Sequence, residues 1–133
     1  MDINVDVAMK IWNDFFDGKE WAQDCYGTWM NRSAYSNEEV VLKIPGYLGM
    51  YDCSWNIDHI RPKSSFKNEN DADFLNNFEP IHRQNNLTKG DKTAFYIENN
   101  RYWVVKDKNG YNYGIKNIFN VRVDGKAKGN FHY

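Results

Sequence analysis

The middle of the chain holds the residues best suited to chemistry. Trp55-Asn56-Ile57-Asp58-His59-Ile60-Arg61-Pro62 sets a carboxylate beside an imidazole, and the later run His82-Arg83-Gln84-Asn85-Asn86-Leu87-Thr88-Lys89 adds a carboxamide. These are the parts needed to hold a divalent cation and to deprotonate a water next to it. Neighbours on a strand point to opposite faces, so Asp58 and His59 cannot do the same job. Asp58 is expected to be a metal ligand, because a hard carboxylate oxygen suits Mg2+ or Mn2+. His59 is expected to be the general base, since an imidazole with a pKa of about 6.5 is matched to neutral pH. Asn86 supplies a second ligand through its side-chain oxygen. Lys89 follows on the same side of a helix, in position to hold an anion.

The elements that must position these groups follow from local pattern. Val7, Ile11, Trp12, Phe15 and Phe16 recur at helical spacing over residues 6–21, with Asp2 or Asn4 as N-cap and Gly18 as a stop. Residues 24–35 read as a short strand or turn leading into irregular structure, and Ile44-Pro45-Gly46 begins a loop that delivers the chain into a strand over 54–60. Residues 62–75 are too polar to bury a core and predict an exposed loop. A strand over 78–81 and a helix from about His82 to Lys89-Gly90 complete the order strand, loop, strand, helix. Period-two alternation at Phe95-Tyr96-Ile97 and Arg101-Tyr102-Trp103-Val104-Val105, with Asn109-Gly110 as a hairpin turn before Tyr111-Asn112-Tyr113-Gly114-Ile115, predicts a small antiparallel sheet that Phe119 to Val123 would extend.

This pattern resembles the HNH (ββα-metal, His-Me finger) endonucleases, of the small phage and bacterial type. Asp58-His59 matches the family's first-strand pair, Asn76-Asn77-Phe78-Glu79-Pro80 its central turn, and Asn86 with Lys89 its helix. The match is close over residues 54–92 and loose over 21–115, through the Asp24 to Gly27 stretch and the Ser33-Ala34-Tyr35 triplet. The resemblance implies an α+β fold in a single domain, with lead-in (1–53), ββα-metal motif (54–92) and hairpin extension (93–133). It also implies metal-dependent hydrolysis of DNA phosphodiester bonds, with one Mg2+ or Mn2+ completed by waters and substrate phosphate oxygens. Asn77, the family's middle Asn, would be a pin for the base strand rather than a chemical group. The Cys pairs that rim many HNH sites are missing, so packing alone must hold the unit. His82 stands either as a third metal ligand or as a helix-opening His bonded to backbone. Arg61 and Arg83 stand either as phosphate contacts or as surface charge, while His132 is expected to be exposed and inert.

Composition bounds these readings. The 133 residues suit one modest core, and 17% aromatics suit a core of large rings. Cys25 and Cys53 form no C-x-x-C pair, which excludes a four-cysteine zinc staple and makes an intracellular, cytoplasmic protein the expectation. No apolar run is long enough for a membrane span, and Met1-Asp2-Ile3-Asn4-Val5-Asp6 lacks the pattern of a signal peptide. The net charge is −1 but unevenly spread: residues 1–58 carry four Lys and Arg against ten Asp and Glu, residues 93–133 seven against three. Phosphate-facing charge is therefore expected from the later part. The acidic first part favours an alternative, a non-catalytic HNH-fold protein such as a phage-encoded inhibitor or regulator that docks on a basic host protein. Oligomeric state and sequence preference are not encoded in any motif of the chain.

Overall fold

The computed structural model describes residues 3–106, 112–117, 119 and 123. It has a mixed α+β architecture in which short antiparallel strand pairs are packed by two helices. Helix α1 (Val5–Phe16) is capped by Asn4, whose side chain accepts from the Val7 N–H. It ends sooner than its apolar spacing predicts. Asp17 turns left-handed, and Trp12 Nε1 donates to the Lys19 carbonyl at 2.8 Å, so Trp21 is free to begin a strand. That strand, β1 (Trp21–Gln23), pairs with β2 (Trp29–Asn31), making the stretch read as mixed a regular hairpin. Asp24 closes its turn by accepting from the Tyr26 and Thr28 N–H groups. A second short pair, β3 (Val41–Leu42) and β4 (Tyr51–Asp52), brackets the Pro-Gly loop.

The central unit is β5 (Trp55–His59) paired antiparallel with β6 (Phe78–His82), followed directly by helix α2 (Arg83–Lys89). Between the strands, the loop is built of three 3-10 turns and buries Ala72 rather than staying wholly exposed. The polar composition misses this because the turns are held by backbone and Asn side chains, such as Asn68 capping Asn70. Gly90 has φ 54°, which lets its N–H return to the Asn86 carbonyl and stops α2. A three-stranded sheet follows, β7 (Ala94–Ile97), β8 (Asn100–Lys106) and β9 (Tyr113–Asn117). The expected turn at Asn109-Gly110, most of the strand over 119–123, and His132 lie outside the described residues.

Strand alternation assigns the two faces of the β5–β6 pair to different neighbours. Trp55, Ile57 and Phe78 face α1, where Trp12 packs on Trp55 with ring centroids 4.6 Å apart and Phe78 packs with Ile11 and Phe15. Asp58 and Glu79, directly opposite each other in the register, face α2. The inner face of the three-stranded sheet (Phe95, Ile97, Tyr102, Tyr113, Ile115) forms a second apolar cluster with Ile60. No helix among the described residues is long and apolar enough to cross a membrane.

Candidate functional site

Asp58 and Lys89 meet across the gap between β5 and α2. Lys89 Nζ lies 2.8 Å from Asp58 Oδ2 and donates to the His59 carbonyl at 2.9 Å, and its side chain is 0% exposed. Phe95 covers the ammonium from the sheet side, with the ring centroid 5.7 Å away. Burial pushes the Asp58 carboxyl above its usual range, against the pull of the Lys89 charge. Beside them, Glu79 is 2% exposed and accepts from Cys25 Sγ at 3.4 Å. The Tyr26 hydroxyl is buried beside the Cys25 thiol. Burial pushes that hydroxyl up, and Cys25, Glu79 and Asp58 add to the shift. The Asp58 face is thus a largely buried charged layer, with the Asp58 side chain 11% exposed.

His59 projects to the opposite face at the end of β5. Its Nε2 lies 2.8 Å from Asp73 Oδ1, with the two side chains 23% and 13% exposed, and its ring packs on Phe78 at 4.8 Å. A carboxylate on one ring nitrogen fixes the ring's orientation and leaves the other nitrogen for a proton transfer. Asp73 was invisible in the sequence. It comes from a polar loop, and only the 3-10 turns bring it back to the strand.

Asn77 ties that loop down. Its Oδ1 accepts from the Arg61 N–H at 2.9 Å, and its Nδ2 donates to the Arg61 and Ala72 carbonyls at 3.1 and 3.0 Å. The Ile60 N–H donates to the Asn77 carbonyl at 2.7 Å. Fully buried, the side chain joins the end of the base strand to the loop that carries Asp73.

Several expected ligands are engaged elsewhere. His82 does not reach the Asp58 face: in the register it pairs with Trp55, three residues from Asp58, so it points the other way. One ring nitrogen accepts from the Gln84 N–H at 3.1 Å and the other meets the Asp52 carbonyl at 2.7 Å. Its role as third metal ligand is corrected to that of the N-cap of α2. Arg61 donates to the Ser65 hydroxyl and carbonyl and to the Tyr113 hydroxyl, and stacks over Phe66 at 4.2 Å. Arg83 donates to Asp52 Oδ2 at 2.7 and 3.1 Å and sits 3.4 Å from Glu38. Lys89 is buried rather than offered to phosphate. All three expected phosphate contacts are engaged within the chain, because each has an acidic, hydroxyl or carbonyl partner within reach; of the three, only Lys89 is fully buried.

Asn86 remains partly exposed, one turn before Lys89 and so on the same side of α2. Its neighbour Asn85 is buried and donates to Asp24 Oδ2 at 2.9 Å and Thr28 Oγ1 at 2.8 Å. Asp24 Oδ2 also accepts from the His82 N–H, which locks the β1–β2 turn onto the start of α2.

The resemblance implies a divalent cation, and the donors can be tested against one. Among the described residues, no group of three His, Cys, Asp or Glu is arranged to hold a metal ion. A cation held by Asp58 and Asn86 would have only two protein donors and would need water and phosphate oxygen for the rest of its shell. Asp58 Oδ2 is sealed from solvent and held at 2.8 Å by the Lys89 ammonium. Lys89 already neutralises this carboxylate, so an arriving ion competes with it and weak affinity is expected. No family model, curated protein or solved structure matches the chain.

Proposed function

We propose that this chain is a metal-dependent nuclease of the HNH type, hydrolysing phosphodiester bonds in DNA. What supports the reading most is the pairing of His59 with Asp73 at the end of β5, next to the Asp58 carboxylate on the other face. His59 takes the proton of the attacking water through the ring nitrogen that Asp73 does not engage. Asp73 keeps the ring oriented, and Asn77 keeps strand and loop in register so that the pair stays formed. Asp58 and Asn86 would hold one Mg2+ or Mn2+, which supplies positive charge for the departing 3'-oxygen. Lys89 sets the resting charge of Asp58.

The test is a plasmid-nicking assay in Mg2+ and in Mn2+. His59→Ala is expected to lower the cleavage rate by about 10²- to 10⁴-fold while the fold and cation binding persist. Full activity in that variant would remove the mechanism, and Asp58→Ala and Asn86→Ala should instead raise the cation concentration required.

A second reading is favoured by one observation, that Arg61, Arg83 and Lys89 are each bonded to groups of the chain itself. It makes the chain a non-catalytic binding protein on the same scaffold, with its acidic first part against a basic partner. Absence of cleavage in both metals, together with recovery of one stoichiometric basic protein, selects it.

A further inference from the structure

We propose that the solvent face of the β7–β8–β9 sheet is a docking platform for a single strand of nucleic acid, an inference that rests on the chain acting on nucleic acid. The register sets Tyr96 opposite Arg101, and Trp103 opposite both Ala94 and Lys116. These residues alternate with the buried Phe95, Ile97, Tyr102 and Ile115, so they share the outer face. Tyr96 is 62% exposed, and Arg101 is exposed with its guanidinium 5.9 Å from the Trp103 ring. The two aromatic rings are diagonal neighbours across a strand pair, close enough for successive bases to stack on them.

Charge points to the same occupant. Of the described arginines, Arg32 donates to Asn13, Arg61 to Ser65 and Tyr113, and Arg83 to Asp52, while the Arg101 guanidinium meets the Trp103 ring instead. The outer-face positions of these strands include no carboxylate among the described residues, while Arg101 supplies a cation beside the rings. Aromatic surface interleaved with positive charge suits a strand with unpaired bases, because a duplex hides its base faces. The sheet's inner face packs toward Lys89 and Tyr26, so the outer face anchors the strand away from the reacting bond.

Fluorescence anisotropy with a fluorescein-labelled oligothymidylate, its RNA counterpart and a duplex of equal length tests the platform. The full chain is used without divalent cation, so binding is read independently of cleavage. Single strands should bind more tightly than the duplex and quench Trp103. Tyr96→Ala and Trp103→Ala should each weaken binding about tenfold. Arg101→Glu should weaken it and lower the salt slope by about 0.7. Tyr96 and Arg101 are exposed, so their variants keep the test valid if Trp103→Ala unfolds. Unchanged affinity in Tyr96→Ala and Arg101→Glu, no binding by the parent chain, or preference for the duplex overturns the proposal. Loss of nicking in His59→Ala with oligonucleotide affinity intact bears on the catalytic reading alone. An inactive parent chain that still binds through Tyr96 and Arg101 would sink the nuclease and leave the platform standing.

Discussion

The two faces of the β5–β6 pair are made by the same ten residues and do opposite things. Under α1, Trp55, Ile57 and Phe78 meet Trp12, Ile11 and Phe15 in an apolar layer. Each fully buried side chain there contributes about 1.5–3 kcal/mol. Under α2, Asp58 lies beside Glu79 and pairs with a lysine that has no exposed surface. Removing two charges from water costs several kcal/mol per ion, and their attraction returns that only with good geometry. A chain selected for stability alone would fill the second face as it fills the first. That contrast marks the charged face as one that stability does not explain, while the His59–Asp73 pair sits at the end of the other face.

The largest effect expected on this contrast is from Phe78→Ala, about 3–5 kcal/mol of stability lost by urea unfolding, because it empties the apolar face. Lys89→Ala comes next at about 3 kcal/mol, since it leaves Asp58 buried without its counter-charge. The joint change Asp58→Leu with Lys89→Met should be neutral or stabilising. If thermal melts show it as damaging as Phe78→Ala, the two faces do not differ in the way described. Asn77→Ala should cost about 2 kcal/mol, through the buried Arg61 and Ala72 groups it leaves unbonded, and should also slow nicking by loosening His59 and Asp73.

The smallest effect concerns pH. Burial alone would raise the Asp52 carboxyl, but the Ser54 hydroxyl and N–H with the Arg83 guanidinium outweigh it and hold the carboxyl below its usual value. An unfolded Asp titrates at about 3.9, so the stabilisation is complete above that pH and fades as pH falls through the lower folded value. Acid titration of stability should therefore be shallower in Asp52→Asn than in the parent chain. Equal slopes would show that the β4 to α2 link carries no charge-dependent stability.

The order strand, loop, strand, helix was legible because it rests on local signals: the turn-rich Ile44-Pro45-Gly46 before the first strand, the polar run over 62–75, and the glycine after Lys89. The first helix was read too long, since no residue before Gly18 signals that Trp12 will bond the Lys19 carbonyl and draw the chain away. The β1–β2 hairpin was missed because its strands are three residues each, too short for a periodic pattern, while Asp24 stabilises the turn through contacts with α2 that no local window contains. At the site, the roles of Asp58 and His59 as residues of opposite faces could be argued from spacing. The fates of Arg61, Arg83 and Lys89 could not, because charged residues default to the surface and only a partner's position overrides that default.

The sequence by itself determined that a carboxylate, an imidazole and a carboxamide would sit on a strand and a following helix, because backbone periodicity is a local property. Only the tertiary structure decided that Lys89 closes over Asp58, that Asp73 reaches His59, and that His82 caps a helix. Each of these is a contact between groups distant along the chain, and its energy depends on burial and geometry that no residue carries alone.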